Sequence, residues 1–338
     1  MIARRGAASS LAIVLSLFVL PAANAAQAAS CENGLYLTPT WLQATKSDAE
    51  VGALVKSVAS LGMTQLFLPA KGFGLEQHAG LDRFRAIARG IDPRVRVLAM
   101  IGRRVCGQSK EACFDASDAE KQRRLEATAT DLWSAGFDGV QIDFEPVPDG
   151  DDVFVVILGR LRAARPPGKT LSLAGYFVQP DDANRSRFHP RPQSNAPLLQ
   201  WTPGYYRRLL ALVDQVMVMV YDTALTHPDE YRAFVAWQVS TMLDLVRPNR
   251  VGIQIGLPSD VPGRTGLYDR AAENLRTGID GVAEALHDGG GQCPSGFGIT
   301  VFAEGGFSPA LRQSFRDTWA SRRATSAAPR PPATTAAP

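Results

Sequence analysis

Lysine is scarce in this chain. Only six of its 36 basic residues are Lys, and against 33 acidic residues the formal charge is +3 over 338 residues. So small a surplus builds no phosphate-attracting field, which excludes nucleic acid as the natural partner. Histidine is scarcer still, four in all and widely scattered, and no CxxC pair occurs. That leaves no metal-ligand set, and no cofactor is implied. No Gly-rich phosphate turn stands early in the chain, which weighs against a doubly wound nucleotide-binding sheet. Long apolar runs are also missing, with one exception: LAIVLSLFVL, ten residues at 11–20. It is too short to span a bilayer comfortably. A basic start, MIARR, precedes it and the small-residue stretch PAANAAQAAS follows. Residues 1–28 therefore read as a secretory signal, cleaved after Ala25 or Ala28. An uncleaved anchor and a lipoprotein acylated on Cys31 are the rival readings. No later segment is apolar enough for a membrane. A secreted or periplasmic protein is expected, bacterial by its Arg, Ala and Pro bias, monomeric, and without an integral membrane segment once the signal is removed.

What is present begins with four cysteines in the mature chain, Cys31, Cys106, Cys113 and Cys293. An even number in an exported protein suggests two disulfides. Three pairings are possible. Cys106 with Cys113 would staple one short loop, which leaves Cys31 with Cys293 and requires the two ends of the fold to meet.

Apolar residues make up 45% of the chain, enough for a substantial core. Eight β-like runs recur, at 34–41, 64–70, 95–102, 139–145, 171–177, 215–222, 251–258 and 298–304. Between them, apolar residues return at three- and four-residue steps in 48–60, 80–89, 118–134, 151–164, 229–246 and 269–286, the helical period. Thr202 before Pro203, and Ser308 before Pro309, are helix starts. Eight β–α units over residues 31–321 predict a single (β/α)8 TIM barrel. Closure puts the first strand beside the last, the geometry a Cys31–Cys293 bond needs. The polar, Pro-rich loop 178–201 follows the fifth strand and so belongs to the face where such barrels place active sites. Residues 322–338, RRATSAAPRPPATTAAP, contain nothing to form a core and read as a disordered tail.

The stretch FDGVQIDFEP, residues 137–146, carries the chemistry. At period two, Val140, Ile142 and Phe144 share one face, and Gln141, Asp143 and Glu145 share the other. In a barrel the first set suits the helices and the second points inward, with Glu145 uppermost at the open mouth and Pro146 ending the strand. Two neighbouring carboxyl groups do not both ionise cheaply, so one pKa should rise. A raised Glu pKa is what a general acid requires. The bland alternative is a structural hydrogen-bond network inside the barrel.

Asp138 to Glu145, DGVQIDFE, resembles the DGxDxDxE signature of glycoside hydrolase family 18, the chitinase-like enzymes. Met219 to Asp222, MVYD, is similar to that family's MxYD motif on the sixth strand. The resemblance covers about 34–320. It implies that Glu145 protonates the glycosidic oxygen and that Asp143 holds the substrate's N-acetyl group, whose carbonyl oxygen attacks the anomeric carbon, the substrate-assisted exception to the two-carboxylate scheme. It further implies that Tyr221 donates to the acetamide, with Asp222 and Met219 beside it, and that Asp138 is structural. Three departures stand out. Gln141 replaces an Asp of the signature, the third strand ends in MIGRR rather than SxGG, and Phe302 sits near the family's Trp under the bound sugar.

Other residues carry two readings. Glu304, at period two from Thr300 and Phe302, is expected at the mouth, as a sugar ligand or as the second acid of an ordinary two-carboxylate mechanism. Tyr176 and Gln254 are substrate donors or satisfied core groups. Trp201 is a sugar platform or a staple for the helix that follows it. Trp133, Trp237 and Trp319 are expected to pack. The expected function is hydrolysis of a β-linked N-acetylglucosamine polymer, chitin or peptidoglycan glycan. The alternatives are a non-catalytic sugar-binding barrel and a glycosidase on another polysaccharide using Glu145 and Glu304.

Overall fold

A computed structural model describes residues 31–43, 45–70, 75–106, 113–191, 198–260, 267–287 and 292–320. The signal 1–28 and the tail 322–338 lie outside the described residues. The strands are β1 Asn33–Tyr36, β2 Met63–Pro69, β3 Arg96–Arg104, β4 Gly139–Glu145, β5 Thr170–Val178, β6 Gln200–Trp201, β7 Gln215–Met219, β8 Gly252–Pro258 and β9 Phe297–Phe302. The helices are α1 Asp48–Ala59, α2 Leu75–Ile91, α3 Ala119–Ser134, α4 Asp152–Ala164, α5 Asp182–Arg185, α6 Pro203–Leu210, α7 Pro228–Val246, α8 Leu275–His287 and α9 Pro309–Phe315.

Strand order is β4-β3-β2-β1-β9-β8-β7-β5-β6, and β4 also pairs with β5. That last pairing closes eight parallel strands into a cylinder, with the two-residue β6 attached to β5 outside it. The protein is a (β/α)8 barrel. The seam between β1 and β9 is held by backbone, side chains and sulfur together. Glu32 N–H donates to Phe297 O at 2.8 Å, and Asn33 Oδ1 accepts from Ile299 N and from Trp319 Nε1. Cys31 is bonded to Cys293 across a sequence separation of 262. A Cys31 sulfur committed to this bond weighs against the lipoprotein reading. Cys106 and Cys113, seven residues apart, form the second disulfide.

The outward strand faces are apolar and meet the helices. Val140, Ile142 and Phe144 are buried, and Phe144 packs on Phe154 of α4 and on Phe114 of the loop that Cys106–Cys113 staples. The interior is different: it is lined by neutral amides. Gln65, Gln141, Gln215 and Gln254 are each at most 4% exposed. Gln215 Nε2 donates to Gln65 Oε1 at 2.7 Å, Gln65 Nε2 to Glu32 Oε2 at 2.9 Å, and Thr300 Oγ1 to Gln254 Oε1 at 2.9 Å. An amide can donate and accept without carrying a charge that burial would penalise. Gly34 belongs to this crowded interior, where a Cβ would stand 2.7 Å from Thr300 Oγ1.

Both sequence-read starts cap helices. The Thr202 hydroxyl accepts from Tyr205 N at the head of α6, and Ser308 accepts from Leu311 N at the head of α9. Two strand limits are shorter than the apolar runs suggested. The first strand ends at Tyr36, because Pro39 opens a turn over Pro39–Leu42 and cannot donate to a ladder. The strand read as 215–222 ends at Met219.

Candidate functional site

Alternation on β4 sends Gln141, Asp143 and Glu145 into the barrel. Gln141 is fully buried, whereas Asp143 and Glu145 above it are partly exposed. The register with β3 sets Gly102 beside Asp143 and Arg104 beside Glu145. At position 102 a Cβ would lie 3.7 Å from Asp143 Oδ2, so this departure from the SxGG pattern still keeps the floor low beside the acid. Asp143 and Glu145 open onto a cavity of about 350 Å³ at the C-terminal mouth, with Tyr176 from β5, Met219 from β7, and Tyr221 and Asp222 from the segment just after β7.

The opposite wall is aromatic. Tyr221 stacks on Phe302 with ring centroids 5.5 Å apart and planes 15° apart, and Tyr36 meets the Phe302 edge at 5.4 Å. Burial raises the pKa of both tyrosines well above 10. For Tyr36 the next cause is the Asp143 charge; for Tyr221 it is Tyr36, then Glu145 and Asp143. Both therefore remain O–H donors throughout the useful pH range. The site thus offers two adjacent carboxyl groups, a permanent phenolic donor in Tyr221 and an apolar face, a combination suited to a sugar ring with an amide substituent.

Several sequence-predicted residues are elsewhere. Gln141 does not line the cavity. It lies one layer below, where its Oε1 accepts from Tyr36 Oη at 2.5 Å and its Nε2 donates to Ser172 Oγ at 3.2 Å. Gln254 is likewise an interior amide that does not line the cavity: its Oε1 accepts from Thr300 Oγ1, while its Nε2 is buried without a partner. Trp201 is 1% exposed; its indole N–H donates to Val147 O and its ring packs on Tyr176, so it offers no face to a sugar. Glu304 is also turned away. Strand β9 ends at Phe302, so the alternation never reaches position 304, and Glu304 Oε2 accepts from Trp41 Nε1 at 2.8 Å and Thr38 N at 3.3 Å. Asp138, at the other end of β4, is structural as expected: it accepts from Val97 N and pairs with Arg89. Among the described residues no group of three or more His, Cys, Asp or Glu side chains is placed to hold a metal ion.

The structure also adds residues. Tyr36, Met217 and Tyr268 line the cavity. Tyr36 was visible only as an inward position of the first strand, and Tyr268 only as part of a loop after a barrel strand. Removing the Tyr36 hydroxyl would leave the buried Gln141 oxygen without its donor. Tyr36→Phe should cost about 1–3 kcal/mol in a urea unfolding curve; an unchanged midpoint would show that the bond contributes nothing.

Asp222 follows the strand with φ 57°, and Ala224 has φ 59°. A left-handed alanine costs roughly 1–2 kcal/mol, so the turn needs external support. Ala224 N donates to Leu267 O and Arg191 N to Ala224 O, each at 2.7 Å. On its inner side Thr223 is bound to a carboxylic side chain, Glu273, that is fully buried.

No family model matches the chain, and no curated protein matches it. Solved structures do. A Cycas revoluta class V chitinase mutant in complex with (GlcNAc)3 aligns with TM-score 0.54 at 14% identity, over 86% of this chain and 100% of that one. The Bacillus cereus spore cortex-lytic enzyme SleL aligns with TM-score 0.52 at 14% identity, over 86% of this chain and 75% of that one. The chitinase-like agglutinin RobpsCRA of Robinia pseudoacacia gives 0.50 at 17% identity, over 85% and 99%. At these identities the likeness establishes the shared barrel.

Proposed function

We propose that this chain is a secreted, divergent member of the chitinase-like family 18 that hydrolyses β-linked N-acetylglucosamine glycans, chitin or peptidoglycan, with retention of anomeric configuration. The observation that carries the reading is the convergence of Asp143 and Glu145 from β4 with Tyr221 and Asp222 from the end of β7 on one open cavity. Glu145 gives its proton to the glycosidic oxygen as the bond to the anomeric carbon breaks. The substrate's own acetamide oxygen closes onto that carbon, with Asp143 and the Tyr221 hydroxyl holding the amide. Water then adds at the same carbon from the face the leaving group vacated, and Glu145, now a carboxylate, takes its proton.

Gln141 bears on rate rather than on the existence of activity. Its amide is bonded to Tyr36 and Ser172 and has no proton to share with Asp143, so the charge stays on one carboxyl group. A two-acid mechanism through Glu304 loses support, since that carboxylate is engaged by Trp41 and Thr38. The non-catalytic sugar-binding reading keeps one observation in its favour, the likeness to an agglutinin of the same fold. Two disulfides and the absence, among the described residues, of any helix long and apolar enough to cross a membrane are consistent with export.

The deciding experiment incubates soluble chitin oligomers and purified peptidoglycan with the protein and reads the anomer first released by NMR. Release of β-anomer, blocked by an N-acetylglucosamine-thiazoline, is the expected result. Binding without cleavage would favour the lectin reading, and release of α-anomer would sink substrate assistance.

A further inference from the structure

Glu273 stands in the 267–274 segment that leads from β8 into α8. It is 0% exposed and packs under the turn that follows β7. Its Oε1 accepts from Thr223 N at 3.0 Å and Thr223 Oγ1 at 2.9 Å, while Oε2 is buried with no hydrogen-bond partner. Among the described residues the titratable groups facing it are Asp222 from the turn, Tyr231 from α7 and Tyr268 from its own segment. Every one of them is an acid. An ionised carboxylate here would be a buried charge with no cation among the described residues to compensate it. Burial above all, and the Asp222 charge in addition, push the Glu273 carboxyl up to about 8 against the opposing Thr223 hydrogen bonds. The neighbouring contacts show what this acid holds. Leu267, from the same segment, accepts from Ala224 N, and Tyr231 Oη donates to Val220 O at 2.5 Å. The left-handed Asp222 and Ala224 therefore lie in a clamp whose inner jaw is Glu273.

We propose that Glu273 is a positioning residue of the sugar site: as a neutral acid it fixes the Asp222–Ala224 turn that presents Tyr221 and Asp222 to the cavity, and its ionisation loosens that turn and closes down the site in alkali. This rests on the glycosidase reading and adds a regulatory group to the same site.

The test compares wild type, Glu273→Gln and Glu273→Ala on a soluble chitin pentamer between pH 6 and pH 9.5, with thermal melting recorded from pH 5 to pH 9. Wild-type kcat/KM should fall between pH 7 and pH 9 by about tenfold beyond what the general acid Glu145 alone gives, following the fraction of neutral Glu273. Glu273→Gln, which keeps the acceptor and is never charged, should stay within about threefold of wild type at pH 7 and keep only the shallower fall that loss of the Glu145 proton gives, so that wild type drops about tenfold relative to it between pH 7 and pH 9. Glu273→Ala should be slower at every pH, because the turn loses its anchor.

Melting supplies a readout that does not depend on turnover. The folded-state pKa lies above the ordinary value of 4.5. Stability from the neutral form is thus fully present below that value and is lost as pH rises toward about 8. Wild-type Tm should therefore drop relative to Glu273→Gln over this window. Parallel melting curves, or an alkaline fall as steep in Glu273→Gln as in wild type, overturn the proposal. Diverging curves with no turnover by any variant would instead overturn the glycosidase reading and uphold the neutral buried acid.

Discussion

Glu145→Gln is expected to lower kcat on a soluble N-acetylglucosamine oligomer by about a thousandfold, the middle of the range for loss of a general acid, with KM changed by less than about threefold. The substitution preserves shape, polarity and the ability to accept a hydrogen bond. It removes only the transferable proton, and the leaving sugar needs that proton as the bond breaks. Glu145 is the last residue of β4, partly exposed at the mouth of the cavity, so no rearrangement is required for a glycan to reach it. Asp143 stands one inward position below, beside Gly102, and is the group the proposal assigns to the acetamide rather than to the glycosidic oxygen. Steady-state rates with a chitin pentamer separate the roles. A rise in KM at constant kcat would make Glu145 a binding group, and equal rates in variant and wild type would remove it from the mechanism.

The second large effect concerns stability. Replacing Cys31 and Cys293 together by Ser should cost about 5–6 kcal/mol, because the bond closes a loop of 262 residues and chain-entropy cost grows with loop length. Against a typical domain stability of about 5–15 kcal/mol, that loss moves the chain close to unfolding. Removing Cys106–Cys113, whose partners are only seven residues apart, should cost about 2 kcal/mol by the same relation. Guanidinium unfolding of the two double variants checks the order. Equal losses would mean that the β1–β9 seam is secured by Asn33, Trp319 and the strand ladder, without need of the sulfur link.

The sequence by itself determined which face of each strand looks inward. Side-chain direction along an extended chain is a local covalent property, so VQIDFE had only one way to present two acids on one side. It determined closure too, since eight alternating units and an even set of cysteines agree on joining the chain ends. Caps at Thr202 and Ser308 were equally local. Only the tertiary structure decided how high each inward residue stands and what it meets there. Gln141 and Gln254 lie below the cavity because neighbouring strands are staggered, a relation no single strand encodes. Glu304 swings to Trp41 because its strand stops two residues short of it. Trp201 is consumed by packing on Tyr176 once β6 docks beside β5. Tyr36 and Glu273 come to the site from 105 and 50 residues away, from Gln141 and Thr223 respectively, and carry no motif. Their roles arise from burial and from the company that packing gives them, quantities that exist only after the barrel has closed.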